Sequence, residues 1–164
     1  MTLGEFTWLD HAQQQSWRSF LVGSTLLMDR LDRDLRDRHG LSLTEYEILV
    51  RLSEAPRHRM RMAVLAHALC HSRSRVTHTV ARMEKAGLVE RDDCLEDGRG
   101  VEAVLTENGE KTLQDAAPTH VAGVRECLIA LSEPADFEAV GRVFGAVADA
   151  LTSPENAAVG DIRS

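Results

Sequence analysis

Residues 62–99 read MAVLAHALCHSRSRVTHTVARMEKAGLVERDDCLEDGR. The first eight place Met62, Leu65, Ala66 and Leu69 at helical spacing. Cys70 and His71 break that pattern, and Ser72 then stands where an N-cap hydroxyl takes an orphan backbone N–H. Beyond it, Val76, Val80 and Met83 mark the buried stripe of a second helix. The other faces of that helix carry Arg73, Ser74, Arg75, Thr77, His78, Thr79 and Arg82. Gly87 supplies the residue that tolerates positive φ after a helix. Two strand-like runs, Leu88 to Arg91 and Val101 to Leu105, flank a tip at residues 95–100 that contains Asp97 and Arg99.

Helix, turn, helix and hairpin in this order predict a winged helix-turn-helix, mainly α with a small β-hairpin wing. A recognition helix needs one apolar stripe to hold it to its domain. Opposite the stripe it needs short polar and arginine side chains that reach base edges in the major groove. Ser72, Arg73, Ser74, Arg75, Thr77, His78 and Arg82 are the candidate contacts. Arg99, at the hairpin tip between Gly98 and Gly100, suits a narrow minor groove, and Asp97 either holds its guanidinium or shapes the turn. The competing reading, a solvated amphipathic helix followed by a hairpin, fits the helix alone equally well. It does not account for the wing arginine together with the charge distribution.

That distribution is uneven. The 164 residues carry a net charge of −7, which by itself argues against a nucleic-acid partner. Yet residues 56–91 hold eight basic side chains against Glu84 and Glu90, a net of +6, which leaves −13 on the remainder. A basic face on an acidic body is expected where phosphate contact is local. No apolar run approaches a membrane span, and the start MTLGEFTWLD lacks a basic segment followed by an apolar one, so a cytoplasmic location is expected. Cys70, Cys94 and Cys127 are odd in number and widely spaced, which argues against a disulfide framework or a zinc ribbon. Cys127 is expected in the core.

Residues 11–38 read as one long helix with Trp17, Phe20, Leu21, Leu27, Met28, Leu31 and Leu35 on one face, stopped by Gly40. Leu43 to Ala55 is the next helix, capped by Ser42 or Thr44 and ended by Pro56. Arg57 to Met62 alternates basic with other residues, an extended piece suited to pairing with the wing strands. Its arginines either reach flanking phosphates or are solvated edge residues. A helix over Glu107 to Leu131, interrupted by Pro118, and another over Pro134 to Leu151 follow the wing. The last stripe is Phe137, Val140, Phe144, Val147 and Leu151. Residues 11–40 and 107–151 are therefore expected to form a dimerisation region around a module at 41–106, with a loose tail at 152–164. Apolar stripes that a small winged module cannot cover should be buried on a second copy.

Residues 41–106 resemble the MarR family of bacterial transcriptional regulators. The resemblance is carried by LSLTEYEILVRLSEAP, MAVLAHAL, SRSRVTHTVARMEKAGLVER and EDGRGVEAVLTENGEK. Within them Ser72, Val76-Thr77, Arg82-Met83-Glu84 and Gly87-Leu88-Val89 match the family's recognition helix. Asp97 and Arg99 match its wing, and Leu105-Thr106 with Gly109 match the segment after it. His71 departs from a usual hydrophobic residue, and His78-Thr79 from a common Arg-Leu. The resemblance implies a homodimer joined by its terminal helices, binding double-stranded DNA at a pseudo-palindromic operator. It also implies a repressor released by a small aromatic or carboxylic acid, held in a crevice between the terminal helices and the winged module. Trp17, Met28, His39 and Tyr46 are the pocket candidates, with simple dimer core as the competing role of Trp17 and Met28.

Other chemistry finds less support. His67, Cys70, His71 and His78 are the most metal-like group, but the helix boundary at residues 70–72 should splay them, and no metal or other cofactor is expected. Cys94 is surrounded by Glu90, Asp92, Asp93, Glu96 and Asp97, which disfavour a thiolate. A metal- or thiol-responsive regulator of the same fold, or a winged module used for protein contact, remain the alternatives. No phosphate loop, nucleophile elbow or recognisable carboxylate pair is present, so no catalytic residue is assigned and an enzyme is not expected.

Overall fold

The computed structural model describes residues 7–93 and 100–152, so Cys94, Asp97, Arg99 and the tail from residue 153 lie outside the described residues. Helix α1 spans His11–His39. Asp10 caps it, accepting the Gln13 N–H while the Gln13 side chain accepts the Asp10 N–H, and Gly40 at φ 67° ends it. Asp32 accepts Arg36 Nε at 2.6 Å and the Leu43 backbone N–H at 2.8 Å. It thereby fastens α1 to the start of α2 (Leu43–Glu54). The Arg36 guanidinium beside it, aided by the Leu43 N–H, holds the Asp32 carboxyl below the usual carboxylate range.

The segment after α2 departs from the expected extended run. Pro56–His58 forms a single 3₁₀ turn, with Arg57 and His58 at φ 57° and 53°, and only Arg59–Arg61 is strand β1. Pro56 suits the first position of such a turn because its missing N–H is not needed there. Helix α3 (Met62–Ala68) and helix α4 (Arg73–Lys85) form the helix-turn-helix. Strands β2 (Val89–Asp93) and β3 (Val101–Leu105) form the base of the wing. All pairs are antiparallel in the order β1-β3-β2, so β3 is central. This is a winged helix-turn-helix, mainly α with a small sheet.

Helix α5 (Glu107–Cys127) runs through Pro118 without a break, but it stops four residues short of the expected Leu131. Leu128 leaves helical geometry, Ile129–Leu131 forms a 3₁₀ turn, and the Ser132 hydroxyl donates to the Leu128 and Ile129 carbonyls. Cys127, expected in the core, is half-buried. Helix α6 covers Pro134–Thr152.

Residues up to Gly123 form one compact unit and those from Val124 a second. The core of the first gathers Leu35, Ile48, Leu49, Leu52, Leu65, Val76, Val80, Met83 and Val89, all fully buried. It draws only Leu31 and Leu35 from α1 as buried residues, and leaves Trp17, Leu21 and Met28 largely exposed. In the second unit no described residue of α6 is buried, and its stripe from Phe137 to Val147 stays 38–44% exposed. Among the described residues, no helix is long and apolar enough to cross a membrane.

The junction of wing and α5 depends on Gly109. The Thr106 hydroxyl caps this helix start, accepting the Gly109 N–H at 2.9 Å and donating to the Gly87 carbonyl at 2.8 Å. A Cβ on Gly109 would overlap the Leu88 carbonyl oxygen and crowd the Leu105 side chain. Gly109→Ala is therefore expected to destabilise the fold by about 1–3 kcal/mol, although alanine is the better helix former. Urea unfolding of the variant checks this, and a gain in stability would contradict it.

Candidate nucleic-acid interface

The turn between α3 and α4 is built from local hydrogen bonds. Leu69 closes α3, Cys70 takes a left-handed conformation at φ 52°, and the Cys70 and His71 N–H groups donate to the His67 and Ala66 carbonyls. Ser72 then caps α4, its hydroxyl accepting the Arg75 N–H at 3.3 Å. The chain thus reverses within four residues and presents the first turn of α4 outward.

Val76, Val80 and Met83 are fully buried, as the spacing predicts. Arg73, Ser74, Arg75, Thr77 and His78 are exposed on the other side of the helix, together with the cap Ser72. Thr77 donates its hydroxyl proton to the Arg73 carbonyl at 2.8 Å, so its methyl group and oxygen lone pairs remain for a partner. Thr79, read from sequence as an outward residue, is instead buried, 8% exposed. Its hydroxyl donates to the Arg75 carbonyl at 3.0 Å, which offsets the cost of burying it.

Arg82 lies in the last turn and is held differently from the rest. Its Nε donates at 2.8 Å to Oε1 of Glu45, near the start of α2, while its side chain stays 63% exposed. Glu45 is only 7% exposed, and its other oxygen accepts both the N–H and the hydroxyl of Ser42, each at 2.8 Å. Burial by itself would raise the Glu45 pKa. The Ser42 and Arg82 hydrogen bonds outweigh it and hold the carboxyl below its ordinary value. Sequence reasoning missed Glu45, although Ser42 followed three residues later by glutamate is a capping-box signature. Nothing local signals that Arg82 is its partner.

The wing base supplies the other wall. Arg91 Nη2 lies 2.6 Å from Glu84 Oε2, which ties β2 to α4. Arg59 reaches Asp92 and Glu102, each at 2.8 Å. An open cleft of about 410 Å³ lies between α3, α4 and the wing, lined by Arg61, Met62, Ala63, Arg73, Thr77, Arg91, Gly100 and Val101. The tip residues Asp97 and Arg99 fall outside the described residues. The candidate interface is thus an exposed helix face beside an open cleft with three arginines in its lining, with no group of three or more His, Cys, Asp or Glu converging as a metal site among the described residues.

The pocket candidates do not gather in one place. Trp17 packs against Phe20 on α1, and Met28 is exposed on the same helix. His39 meets Thr119 of α5, Nε2 to Oγ1 at 2.8 Å. Tyr46 stacks on His120, ring centres 4.6 Å apart, beside a cleft of about 230 Å³ lined also by Glu47, Val50 and Arg51. His120, Arg51 and Thr119 were not singled out from sequence.

The sequence pattern of the MarR family matches residues 41–101. The MarR family transcriptional regulator Sco3205 from Streptomyces coelicolor, solved in complex with DNA, is 41% identical, with a TM-score of 0.89 over 93% of this chain and 95% of that one. This chain belongs to the MarR family of transcriptional regulators. AbsC, another MarR family regulator from Streptomyces coelicolor, is 43% identical with a TM-score of 0.84, covering 89% of this chain and 98% of AbsC. CouR from Rhodococcus jostii RHA1, solved with p-coumaroyl-CoA, shares the fold at 19% identity and a TM-score of 0.72, over 84% of this chain and 93% of CouR. No curated protein matches the chain in sequence.

In this MarR-family chain the Glu45–Arg82 pair gives a pH-dependent readout of how α4 is held. A carboxyl whose folded pKa is depressed adds stability above its unfolded pKa and loses it as pH falls toward the folded value. Glu45→Gln keeps a side chain able to close the capping box but removes the charge facing Arg82. At pH 7 the variant should lose about 0.5–1.5 kcal/mol, the exposed arginine limiting the effect. The difference from the parent should shrink as pH drops through the glutamate range. Urea unfolding across that range measures it; a pH-independent difference would mean the ionic contribution is absent.

Proposed function

We propose that this protein is a sequence-specific double-stranded-DNA-binding repressor in the cytoplasm. It binds a pseudo-palindromic operator as a homodimer and is released by a small aromatic carboxylic acid. The observation that carries the DNA reading is the outer face of α4. Arg73, Ser74, Arg75, Thr77 and His78 project opposite a fully buried stripe, where base edges are read. The 41% identical Sco3205, solved with DNA, supports it. The half-exposed apolar faces of α1 and α6 support a second copy as their cover.

The effector part rests on the cleft beside Tyr46. The Tyr46 and His120 rings, tilted 31° to each other, form one wall, and Arg51 supplies a cation. His120 Nδ1 is buried without a hydrogen-bond partner, and burial pushes the imidazole pKa below its ordinary value. A planar acid would stack on the wall and place its carboxylate toward Arg51, away from Glu47. Trp17 and Met28 then belong to the dimer surface, while His39 meets Thr119, the chain neighbour of His120. Helix α2 carries both the cleft residues and Glu45, so a ligand there would bias how α4 is held.

Selection on randomised duplexes tests the DNA half. Wild-type protein should enrich pseudo-palindromes with half-sites about 10 bp apart. Arg75→Ala should cost about 1–3 kcal/mol on the selected site and relax preference at one or two positions. Arg99→Ala should lower affinity according to flanking A·T content while leaving the core consensus unchanged. A shift of the core consensus by Arg99→Ala alone would reverse the groove assignments, and the absence of any enriched site would overturn the reading. For the effector half, benzoate and its hydroxylated derivatives should displace the operator in fluorescence anisotropy. Arg51→Gln should blunt that displacement without changing ligand-free affinity; displacement unaffected by it would remove the cleft from the proposal.

A further inference from the structure

Asp92 on β2 and Glu102 on β3 stand directly opposite each other in the wing's register. Like charges in that position repel and would splay the two strands where the wing leaves the domain. Arg59 comes from β1, on the far side of β3, and is paired in register with Val104, two residues from Glu102 on the same face. Its guanidinium crosses the central strand, hydrogen-bonding Asp92 through Nη2 and making an ionic contact with Glu102 through Nε, both at 2.8 Å. The Arg59 side chain is only 14% exposed and that of Glu102 only 11%. One arginine thus spans all three strands and bridges the acid pair at the base of the wing.

We infer that Arg59 is a positioning residue for DNA recognition: it sets the angle at which the wing meets the duplex and does not itself contact phosphate. The inference rests on the DNA-binding reading above and deepens it. A guanidinium committed to two carboxylates has little left for a phosphate, whereas a wing whose base is pinned reaches the groove with less conformational freedom to lose. Arg61, directly opposite Glu102 and lining the open cleft, is not part of this claim.

Two variants separate positioning from phosphate contact. Arg59→Gln removes the cation; Asp92→Asn leaves Arg59 charged but removes one of its two anchors. If Arg59 positions the wing, both variants weaken operator binding several-fold, with the loss concentrated at positions flanking the half-sites. The slope of log K against log[salt] stays as in wild type. If Arg59 touches phosphate, Arg59→Gln flattens that slope by about 0.9 per contact, and Asp92→Asn strengthens binding by freeing the cation. Either result overturns the inference, as does unaltered affinity in both variants. A loss spread evenly over core and flanks in step with reduced thermal stability means a merely structural role and overturns it too. Hydrogen exchange at the amides of β2 and β3 gives a readout without DNA and should accelerate in both variants relative to α4. If wild-type protein binds no operator, the DNA reading fails, while the exchange data still decide whether Arg59 pins the wing.

Discussion

The carboxylate of Glu45 joins the start of α2 to the last turn of α4, beside the buried stripe that packs α4 onto the core. One oxygen closes the N-terminal box of α2 on Ser42, and the other receives the guanidinium of Arg82 from α4. A carboxylate this deeply buried is stable as an anion only because every lone-pair direction it uses is met by a donor. Each end of the arrangement is itself anchored. Ser42 lies beside Leu43, whose N–H is held by Asp32 of α1, and Arg82 sits one residue before the fully buried Met83. A continuous polar path therefore runs from α1 through the start of α2 to the last turn of α4. Arg75, nearer the front of α4, approaches Thr44 on the same helix start, at a longer 3.5 Å.

That path gives α2 two duties. Tyr46, Glu47, Val50 and Arg51 line the cleft shared with His120, and Glu45 faces the opposite way toward α4. In a helix, residues one position apart point about 100° from each other, so one element can line the cleft on one side and meet α4 on another. Its remaining surface is packed through the fully buried Ile48, Leu49 and Leu52.

Charge is segregated on the same principle. Four acids of the winged module are paired internally: Glu45 with Arg82, Glu84 with Arg91, and Asp92 and Glu102 with Arg59. Arg73, Arg75 and His78 stay on the exposed face of α4. An acidic protein can thereby present a locally cationic face, since several acids near that face are screened by a partner at short range.

How far this was legible in the chain follows from the range of each interaction. The caps at Ser72, Gly40 and Gly87 and the stripe of Val76, Val80 and Met83 depend on neighbours within a turn or two. Adjacent residues therefore determined them, and with them the helix-turn-helix. Polarity misled at Thr79, because its hydroxyl is satisfied by the Arg75 carbonyl inside its own helix and burial then costs little. Arg59 was legible only as a basic residue on an edge strand. Whether it met solvent, phosphate or carboxylate was decided by the three-strand register that brings Asp92 and Glu102 beside it. The stacking of Tyr46 on His120 and the pairing of Glu45 with Arg82 were likewise settled by the packing of α2 against α5 and α4. The sequence by itself determined the elements, their order and which face of each is apolar, because those follow from local periodicity and capping. Only the tertiary structure decided which charges are spent on each other and which remain for a partner, because that depends on distances between residues the chain keeps far apart.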